Sequence, residues 1–230
     1  MKTTDVRRER ELRRREGYRA SVVHAAERVV LRKGFSAMTM DDVAREAQLS
    51  KATIYKYVPG KGALLSEIIG HQLDVVRDAA AAIADGPGSA AEKLERLVGA
   101  VLKNSEDTRH LTRVLFMDKA MFKLMRVFHH PSAKAGAGSP AERQIPAMLR
   151  QKRGEIIGLS ARILAEGIAS GEFRRMDTAR ASAFLEAVLQ GYTHMRLWDG
   201  DASLPPAAAA GLTRFILEGI RNPGHSGKEK

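Results

Sequence analysis

The sequence predicts an all-α protein of about nine helices. Apolar residues recur at spacings of three and four along most of the chain, the pattern of helices that bury one face. Glycine or proline follows several of these stretches, as at Gly34, Pro59–Gly60 and Gly171, where helices commonly end. A polar boundary at 85–89 separates the first four predicted helices from the others. The predicted architecture is an N-terminal helix-turn-helix domain followed by a larger helical domain.

Composition limits the classes of protein to which the chain can belong. Its 230 residues include no cysteine, which leaves neither disulfides nor thiolate metal sites. The hydrophobic share of 44% and the charged share of 28% are those of an ordinary soluble protein. No apolar run approaches the ~20 residues that a membrane span needs, and the start lacks the hydrophobic segment of a signal peptide. We therefore expect a cytoplasmic protein without a membrane partner.

The whole chain has a formal net charge of +11, and its positive charge is concentrated in the N-terminal third. Residues 1–70 carry 15 Lys and Arg against 9 Asp and Glu, whereas the other 160 residues carry 23 against 18. This distribution indicates a polyanionic partner. Residues 1–19 form a basic arm, which is either a solvated extension or a segment that lies along DNA phosphates. Opposite charges at helical spacing suggest that the arm extends the first helix.

Local signals mark the end of the first clear helix and the start of the second. An amphipathic stretch over 18–33 has basic residues in its last turn and is followed by Gly34, a standard helix end. Thr39 and Asp42 make a T-x-x-D capping box, which predicts that the second helix starts at residue 40. The second helix is therefore expected to be well anchored at its N-terminus.

A third short helix follows after a tight turn at Gln48–Leu49. Ser50 is an N-cap candidate for this helix, which we expect over 51 to about 58. Pro59–Gly60 cannot continue a helix and ends it. Two short helices joined by a tight turn over 38–61 are the pattern of a helix-turn-helix, which places a helix in the DNA major groove.

The outer face of the third helix carries groups suited to DNA. Ile54 and Val58 are expected to point inward, which leaves on the surface Lys51, Ala52, Thr53, Tyr55, Lys56 and Tyr57. Hydroxyl and ammonium groups donate to phosphate oxygens, and Ser or Thr can also contact base edges. A surface helix that happens to be polar would not explain why the helix stop, the capping box and the tight turn occur together. The pattern therefore predicts double-stranded DNA as the partner.

Residues 18–68 resemble the DNA-binding domain of the tetracycline-repressor (TetR) family. The resemblance rests on Gly34-Phe35, Thr39, Val43-Ala44, Ala47, Leu49 to Tyr55, Tyr57, Lys61 and Leu64. Three positions depart from the family's pattern, since Gln48 stands for Gly, Val58 for Phe and Gly60 for a Ser or Asn cap. If residue 48 has a positive φ, glutamine costs on the order of 1 kcal/mol there.

The resemblance implies an all-helical, homodimeric transcriptional regulator, usually a repressor that a small molecule releases from DNA. It implies phosphate contacts by Thr39, Tyr55, Tyr57 and Lys61. It places Ser50, Ala52, Thr53 and Lys56 nearest the bases. The full set of candidate DNA-binding residues is Thr39, Gln48, Ser50, Lys51, Ala52, Thr53, Tyr55, Lys56, Tyr57 and Lys61.

After the basic arm, we expect a helix-turn-helix domain over 20–66. A helical ligand-binding and dimerisation domain follows over 67–222, and then a disordered tail over 223–230. A predicted helix over 108–128 is rich in Met and Phe. These side chains are either ordinary core residues or the lining of an adaptable pocket for an apolar ligand. The candidate pocket residues are Leu115, Phe116, Met121, Met125, Phe128, Met148, Phe184 and Tyr192.

The last two predicted helices, over 177–198 and 205–220, carry a second set of apolar residues. By the resemblance, this pair meets its copy in a four-helix dimer interface. The alternative is that the same residues form the core of a monomer. The candidate interface residues are Leu185, Val188, Leu189, Met195, Leu212, Phe215 and Ile216.

These predictions favour a homodimeric repressor that binds a palindromic operator and is released by a small, largely apolar effector. The alternative is a ligand-independent or architectural DNA-binding protein with the same helix-turn-helix. An enzyme is disfavoured because the HExxH, P-loop, GxSxG and dinucleotide fingerprints are missing. We therefore expect no catalytic residues, no cofactor and no metal site. The pair His129–His130 lacks a third ligand and is interpreted as the end of a helix.

Overall fold

The computed structural model describes residues 3–118, 140–198 and 206–222. Within these ranges the chain forms nine α-helices and no named strand, which confirms the predicted all-α fold with an N-terminal helix-turn-helix. The helices are α1 Thr3–Lys33, α2 Met40–Glu46, α3 Lys51–Tyr57, α4 Lys61–Asp85, α5 Ala90–Asp107, α6 Arg109–Phe116, α7 Pro140–Ala169, α8 Thr178–Arg196 and α9 Pro206–Ile220.

The bounds of α1, α5 and α6 bear on the predictions. The basic arm is helical from Thr3 onward and continues into α1 without a break, as the opposite charges at helical spacing suggested. Helix α5 runs to Asp107, and the Thr108 backbone and hydroxyl close it by donating to the Asn104 carbonyl at 3.0 and 2.8 Å. Helix α6 ends at Phe116 and residues 117–118 are not helical, so the predicted helix over 108–128 stops earlier than expected; its residues 119–128 lie outside the described ranges.

The described residues form two compact units that do not follow the order of the chain. The first contains residues up to 72 together with 110–150, and the second contains 73–109 together with residues from 151 onward. Leu111 and Leu115 of α6 therefore belong to the first unit, because their apolar side chains pack into the core of α1 to α4. This grouping differs from the predicted division into contiguous domains at residue 66. The predicted tail over 223–230 lies outside the described residues.

The core of the first unit is built from the small apolar face of α1 and the inward residues of α2, α3 and the start of α4. The side chains of Val22, Val29, Val43, Ile54 and Leu64 are inaccessible to solvent. Burying a Val, Leu or Ile side chain contributes roughly 1.5–3 kcal/mol. This packing holds the two short helices, which would not persist alone in water.

The second unit is built from the ends of α4 and α7 together with α5, α8 and α9. Phe173 is buried there and lies directly against Gly167 of α7. A Cβ at residue 167 would come within 2.4 Å of the Phe173 ring, so this contact requires glycine. One buried charge is paired, since the Lys93 ammonium donates to both Glu166 oxygens at 2.8 and 2.9 Å.

The described ranges contain neither a candidate membrane span nor a candidate metal cluster. None of the helices there is both long and apolar enough to cross a membrane. In the same ranges, no group of three or more His, Cys, Asp or Glu side chains could hold a metal ion. The predicted pair His129–His130 is outside the described residues.

Candidate DNA-binding surface

The start of α2 is fixed by the predicted capping box. The Asp42 backbone donates to Thr39 Oγ1 at 3.1 Å, and the Thr39 backbone donates back to Asp42 Oδ2 at 3.0 Å. The Thr39 hydroxyl also donates to Asp42 Oδ2, at 2.8 Å. This hydroxyl is therefore engaged within the cap, so Thr39 acts first by orienting α2.

The Asp42 carboxylate also connects the cap to α1. Lys33 Nζ donates to Asp42 Oδ1 at 2.7 Å. This hydrogen bond, followed by those from Thr39, holds the pKa of Asp42 well below its usual range. The carboxylate thus remains ionised at neutral pH and favours the positive end of the helix dipole.

The far end of α2 is attached to α1 by a second acidic residue. Glu46 accepts hydrogen bonds from Arg32 at 2.5 Å and from Arg28 at 2.6 Å. These two guanidinium groups, Arg32 first, lower the pKa of Glu46. With both ends of α2 linked to α1, α2 is held at a defined angle. It supports α3, the helix proposed to enter the major groove and called here the reader helix.

The turn between α2 and α3 has the backbone geometry that the sequence flagged. Gln48 has φ 55°, the only positive φ of a non-glycine residue in the described ranges. The Leu49 backbone donates to the Ala44 carbonyl at 3.0 Å, and the Gln48 backbone donates to the Arg45 carbonyl at 3.2 Å. These two bonds make a Schellman motif, in which the left-handed position usually holds glycine. Gln48 therefore has the positive φ on which the expected cost of a glutamine at this position depends.

Helix α3 begins at the predicted cap and presents a polar face. Ser50 Oγ accepts from the Thr53 backbone at 3.1 Å and lies 2.7 Å from the Thr53 hydroxyl. Ile54 is fully buried and keeps the opposite face outward. The candidate residues exposed on α3 are Lys51, Ala52, Tyr55 and Lys56, which share one side of the helix.

One of these lysines is paired with an acidic residue of α2. Lys51 Nζ lies 2.8 Å from Asp41 Oδ1, and this hydrogen-bonded carboxylate raises the pKa of Lys51. The pair is exposed on both sides, so it contributes little to stability. It does neutralise part of the charge that Lys51 would otherwise offer to a phosphate.

The end of α3 makes a contact that the sequence did not predict. Tyr57 stacks on Tyr18 of α1, with ring centroids 5.6 Å apart and planes 17° from parallel. Arg14 lies over the Tyr18 ring and Lys56 over the Tyr57 ring, at 5.6 and 5.8 Å. Positive charge therefore continues from α3 onto the N-terminal part of α1. Charged residues at helical spacing in the arm indicated the helix, but the stacking partner could not be predicted from them.

Lys61, the first residue of α4, is half-buried and already has partners. Its Nζ donates to the Ser36 carbonyl at 2.7 Å and lies 4.8 Å from the centre of the Phe35 ring. An ammonium group has three donors, so a phosphate contact remains available to it. Its position depends on the loop between α1 and α2.

Comparisons with known proteins agree with this geometry. Residues 22–68 match the family described as bacterial regulatory proteins, tetR family. An uncharacterized HTH-type transcriptional regulator of Bacillus subtilis, YdeS, is 43% identical over 54 residues, which are 24% of this chain and 27% of YdeS. That match therefore covers about a quarter of either protein.

Solved structures are similar over most of the chain. A transcriptional regulator of the TetR/AcrR family from Thermobifida fusca is 26% identical, with a TM-score of 0.64 over 89% of this chain and 98% of that chain. Residues 22–68 thus match the tetR family, and most of the chain shares the fold of a TetR/AcrR-family regulator. A tetR-family regulatory protein from Rhodococcus shares the fold at 23% identity, with a TM-score of 0.63 over 89% of this chain and 97% of that chain.

The residues predicted to line a ligand pocket do not all lie together in one unit. Leu115 is buried in the core of the first unit, to which the partly exposed Phe116 and Met148 also belong, whereas Tyr192 packs against the core of the second. Phe184 is 64% exposed, so it belongs to the surface of the second unit rather than to its interior. Met121, Met125 and Phe128 lie outside the described residues.

The predicted interface residues divide into buried and exposed sets. Leu185 and Leu189 are buried in the core of the second unit, because they face inward from α8. Leu212 and Ile216 are partly buried against the same core. Val188, Met195 and Phe215 are exposed, as is Trp198, and Phe215 keeps 69% of its surface accessible. Leu185 and Leu189 thus serve the chain's own core, and the exposed residues are what a partner could cover.

Proposed function

We propose that the protein is a homodimeric, cytoplasmic repressor that binds a palindromic operator and leaves it when a small, largely apolar molecule binds. The observation that carries the DNA-binding part is the exposed polar face of α3, presented from a packed helix-turn-helix core. The TetR-family match over 22–68 supports the same surface.

The contacts to DNA are assigned by side-chain chemistry. Ser50, Ala52, Thr53 and Lys56 are nearest the base edges, and Gln48 borders them at the turn. Tyr55, 45% exposed, and Lys61 bind phosphates. Lys51, Tyr57 and Arg14 extend the phosphate surface on either side. Thr39 contributes through the position of α2, since its hydroxyl is occupied by Asp42.

The homodimer is supported by the apolar surface of α8 and α9. Phe184, Val188 and Met195 lie at spacings that place them on one side of α8, and Phe215 is exposed on α9. Large exposed apolar residues in a group mark surfaces that associate with protein. A twofold axis would give the dimer two copies of α3, matching two half-sites about one helical turn, or a multiple of it, apart.

The effector part of the proposal rests on the Met- and Phe-rich composition of residues 108–128. Met and aromatic side chains fit apolar molecules of different shapes. Binding would favour a conformation in which the two reader helices no longer match the half-site spacing. A coupling of this kind is typically about 1–3 kcal/mol.

The test has two parts. Selection from random duplex DNA with the full-length protein, followed by footprinting, should recover two inverted half-sites, and recovery of single or unrelated sites would contradict the dimeric reader. A thermal-shift screen with apolar small molecules should find a compound that raises the melting temperature and lowers affinity for the selected duplex. If the compounds that bind leave DNA affinity unchanged, the ligand-independent alternative replaces the repressor.

A further inference from the structure

A buried carboxylate holds the loop that precedes the helix-turn-helix. Asp118 lies two residues after the end of α6 and is only 8% exposed. Its Oδ2 accepts a hydrogen bond of 2.5 Å from the hydroxyl of Ser36, in the loop between α1 and α2. A buried carboxylate is strongly disfavoured unless donors satisfy it, so this contact fixes where Ser36 can lie.

The same loop residue holds a candidate DNA-binding lysine. The Ser36 carbonyl accepts from Lys61 Nζ at 2.7 Å, and the neighbouring Phe35, which is buried, lies beneath the ammonium group. Ser36 therefore connects Asp118 through its side chain with Lys61 through its backbone. All of these residues belong to the first unit.

We propose that Asp118 is a positioning residue for DNA binding, which acts through Ser36 to place the Lys61 ammonium against a phosphate. This inference rests on the proposed DNA-binding function. A shift of Asp118 would release the Ser36 hydroxyl. The Ser36 carbonyl would then no longer hold the Lys61 ammonium in position. Operator affinity would thus respond to the position of Asp118 without any change in α3.

The sign of the expected effect separates this role from general electrostatics. Removing a negative charge from a DNA-binding unit strengthens attraction to phosphates over long range. Loss of the Asp118 contact should instead weaken binding, because Lys61 is no longer held in place. The matched control is Glu67→Gln, which removes a carboxylate of the same unit that pairs with Arg19 and lies outside the proposed DNA surface.

The experiment is a salt titration of affinity for the selected duplex, with full-length variants. Asp118→Ala and Ser36→Ala should each weaken binding about fivefold to tenfold and lower the slope of log affinity against log salt by about one. Ser36→Ala keeps the backbone carbonyl and changes a residue at the surface, so it tests the link even if Asp118→Ala folds poorly. In a Lys61→Ala background, neither change should weaken binding further.

Three results would overturn the assignment. Equal losses from Ser36→Ala with and without Lys61 would show that the effects are independent. Wild-type affinity and slope in Ser36→Ala would show that the link does not matter. A loss of the same size in Glu67→Gln would show that disturbing any ion pair of the first unit weakens binding, so the effect would not be specific to Asp118.

Hydrogen exchange without DNA distinguishes this inference from the proposed function. Ser36→Ala should raise exchange in the peptide that spans 34–39. If Ser36→Ala raises exchange but the wild-type chain binds no duplex DNA, the DNA-binding function is refuted and the structural link stands. Unchanged exchange and unchanged slope in a chain that does bind DNA would refute the link and leave the function intact.

Discussion

The two units expose opposite chemistry on the surfaces that we assign to partners. In the first unit, α3 exposes lysines, small residues and tyrosine, and an acidic residue of α2 neutralises part of the charge of Lys51. In the second unit, α8 and α9 expose Phe184, Met195 and Phe215. The polar surface suits binding that depends on salt, whereas the apolar surface suits association between chains. On the proposed assignments, one protein uses two kinds of binding energy, which respond to different changes.

The largest effect is expected on the apolar surface. The double variant Phe184→Glu/Phe215→Glu should be monomeric, because it places charge where an apolar surface must be buried. Its operator affinity should fall by at least about 100-fold, since binding two linked half-sites exceeds binding one by that order. Light scattering after size exclusion measures the mass, and fluorescence anisotropy measures the affinity.

The control for this prediction is Val75→Glu, on α4 in the same unit. Val75 is also an exposed large apolar residue, 44% accessible, but it lies outside the proposed interface. It should leave both the mass and the operator affinity unchanged. A wild-type monomer, or a double variant that stays dimeric, would remove α8 and α9 from the interface.

The next effect is expected on the polar surface and depends on salt. Lys56→Ala should weaken binding to operator and to random DNA by about tenfold at low salt, and lower the salt slope by about one, because a lysine beside the base edges also attracts the flanking phosphates. Lys103→Ala removes an exposed lysine of the second unit that pairs with Asp107, and so controls for net charge. If both variants lower the slope equally, α3 does not supply the phosphate contact.

The elements of the first unit could be predicted because their signals are local. The Thr39–Asp42 box, the Ser50 cap and the left-handed Gln48 turn each depend on residues no more than five positions apart. The contacts that orient these helices link distant positions, such as Ser36 with Asp118. Charged and hydroxyl residues on a surface look interchangeable in a sequence, so such pairs could not be predicted.

The faces of α8 could not be assigned for a different reason. A helix that contacts its own core on one side and exposes large apolar residues on another is apolar around much of its circumference. The pattern then shows that Phe184, Leu185, Val188 and Leu189 are apolar but not which face each one occupies. Packing of Leu185 and Leu189 against the core of the second unit decides the question.

A smaller effect is expected on acid stability of the first unit. Lys33 and Thr39 lower the pKa of Asp42 in the folded protein. The ionised carboxylate therefore adds stability above its unfolded pKa of about 4, and this stability is lost as pH falls through the folded pKa. Asp42→Asn should flatten the fall in the free energy of unfolding below about pH 4, measured by denaturant titration at several pH values. Parallel curves for both proteins would exclude Asp42 as a source of acid sensitivity.

The smallest effect is expected from the strained turn between α2 and α3. Gln48 holds φ 55°, where its Cβ crowds the backbone, so Gln48→Gly should raise the free energy of unfolding by about 1 kcal/mol or less. Gln48→Ala is the matched control, because alanine keeps the Cβ and should give no such gain. Equal stability of the two variants would show that the turn is not strained. A loss of operator affinity in both variants, with a gain in stability in the glycine variant only, would show that the glutamine side chain serves DNA binding at a cost to the fold.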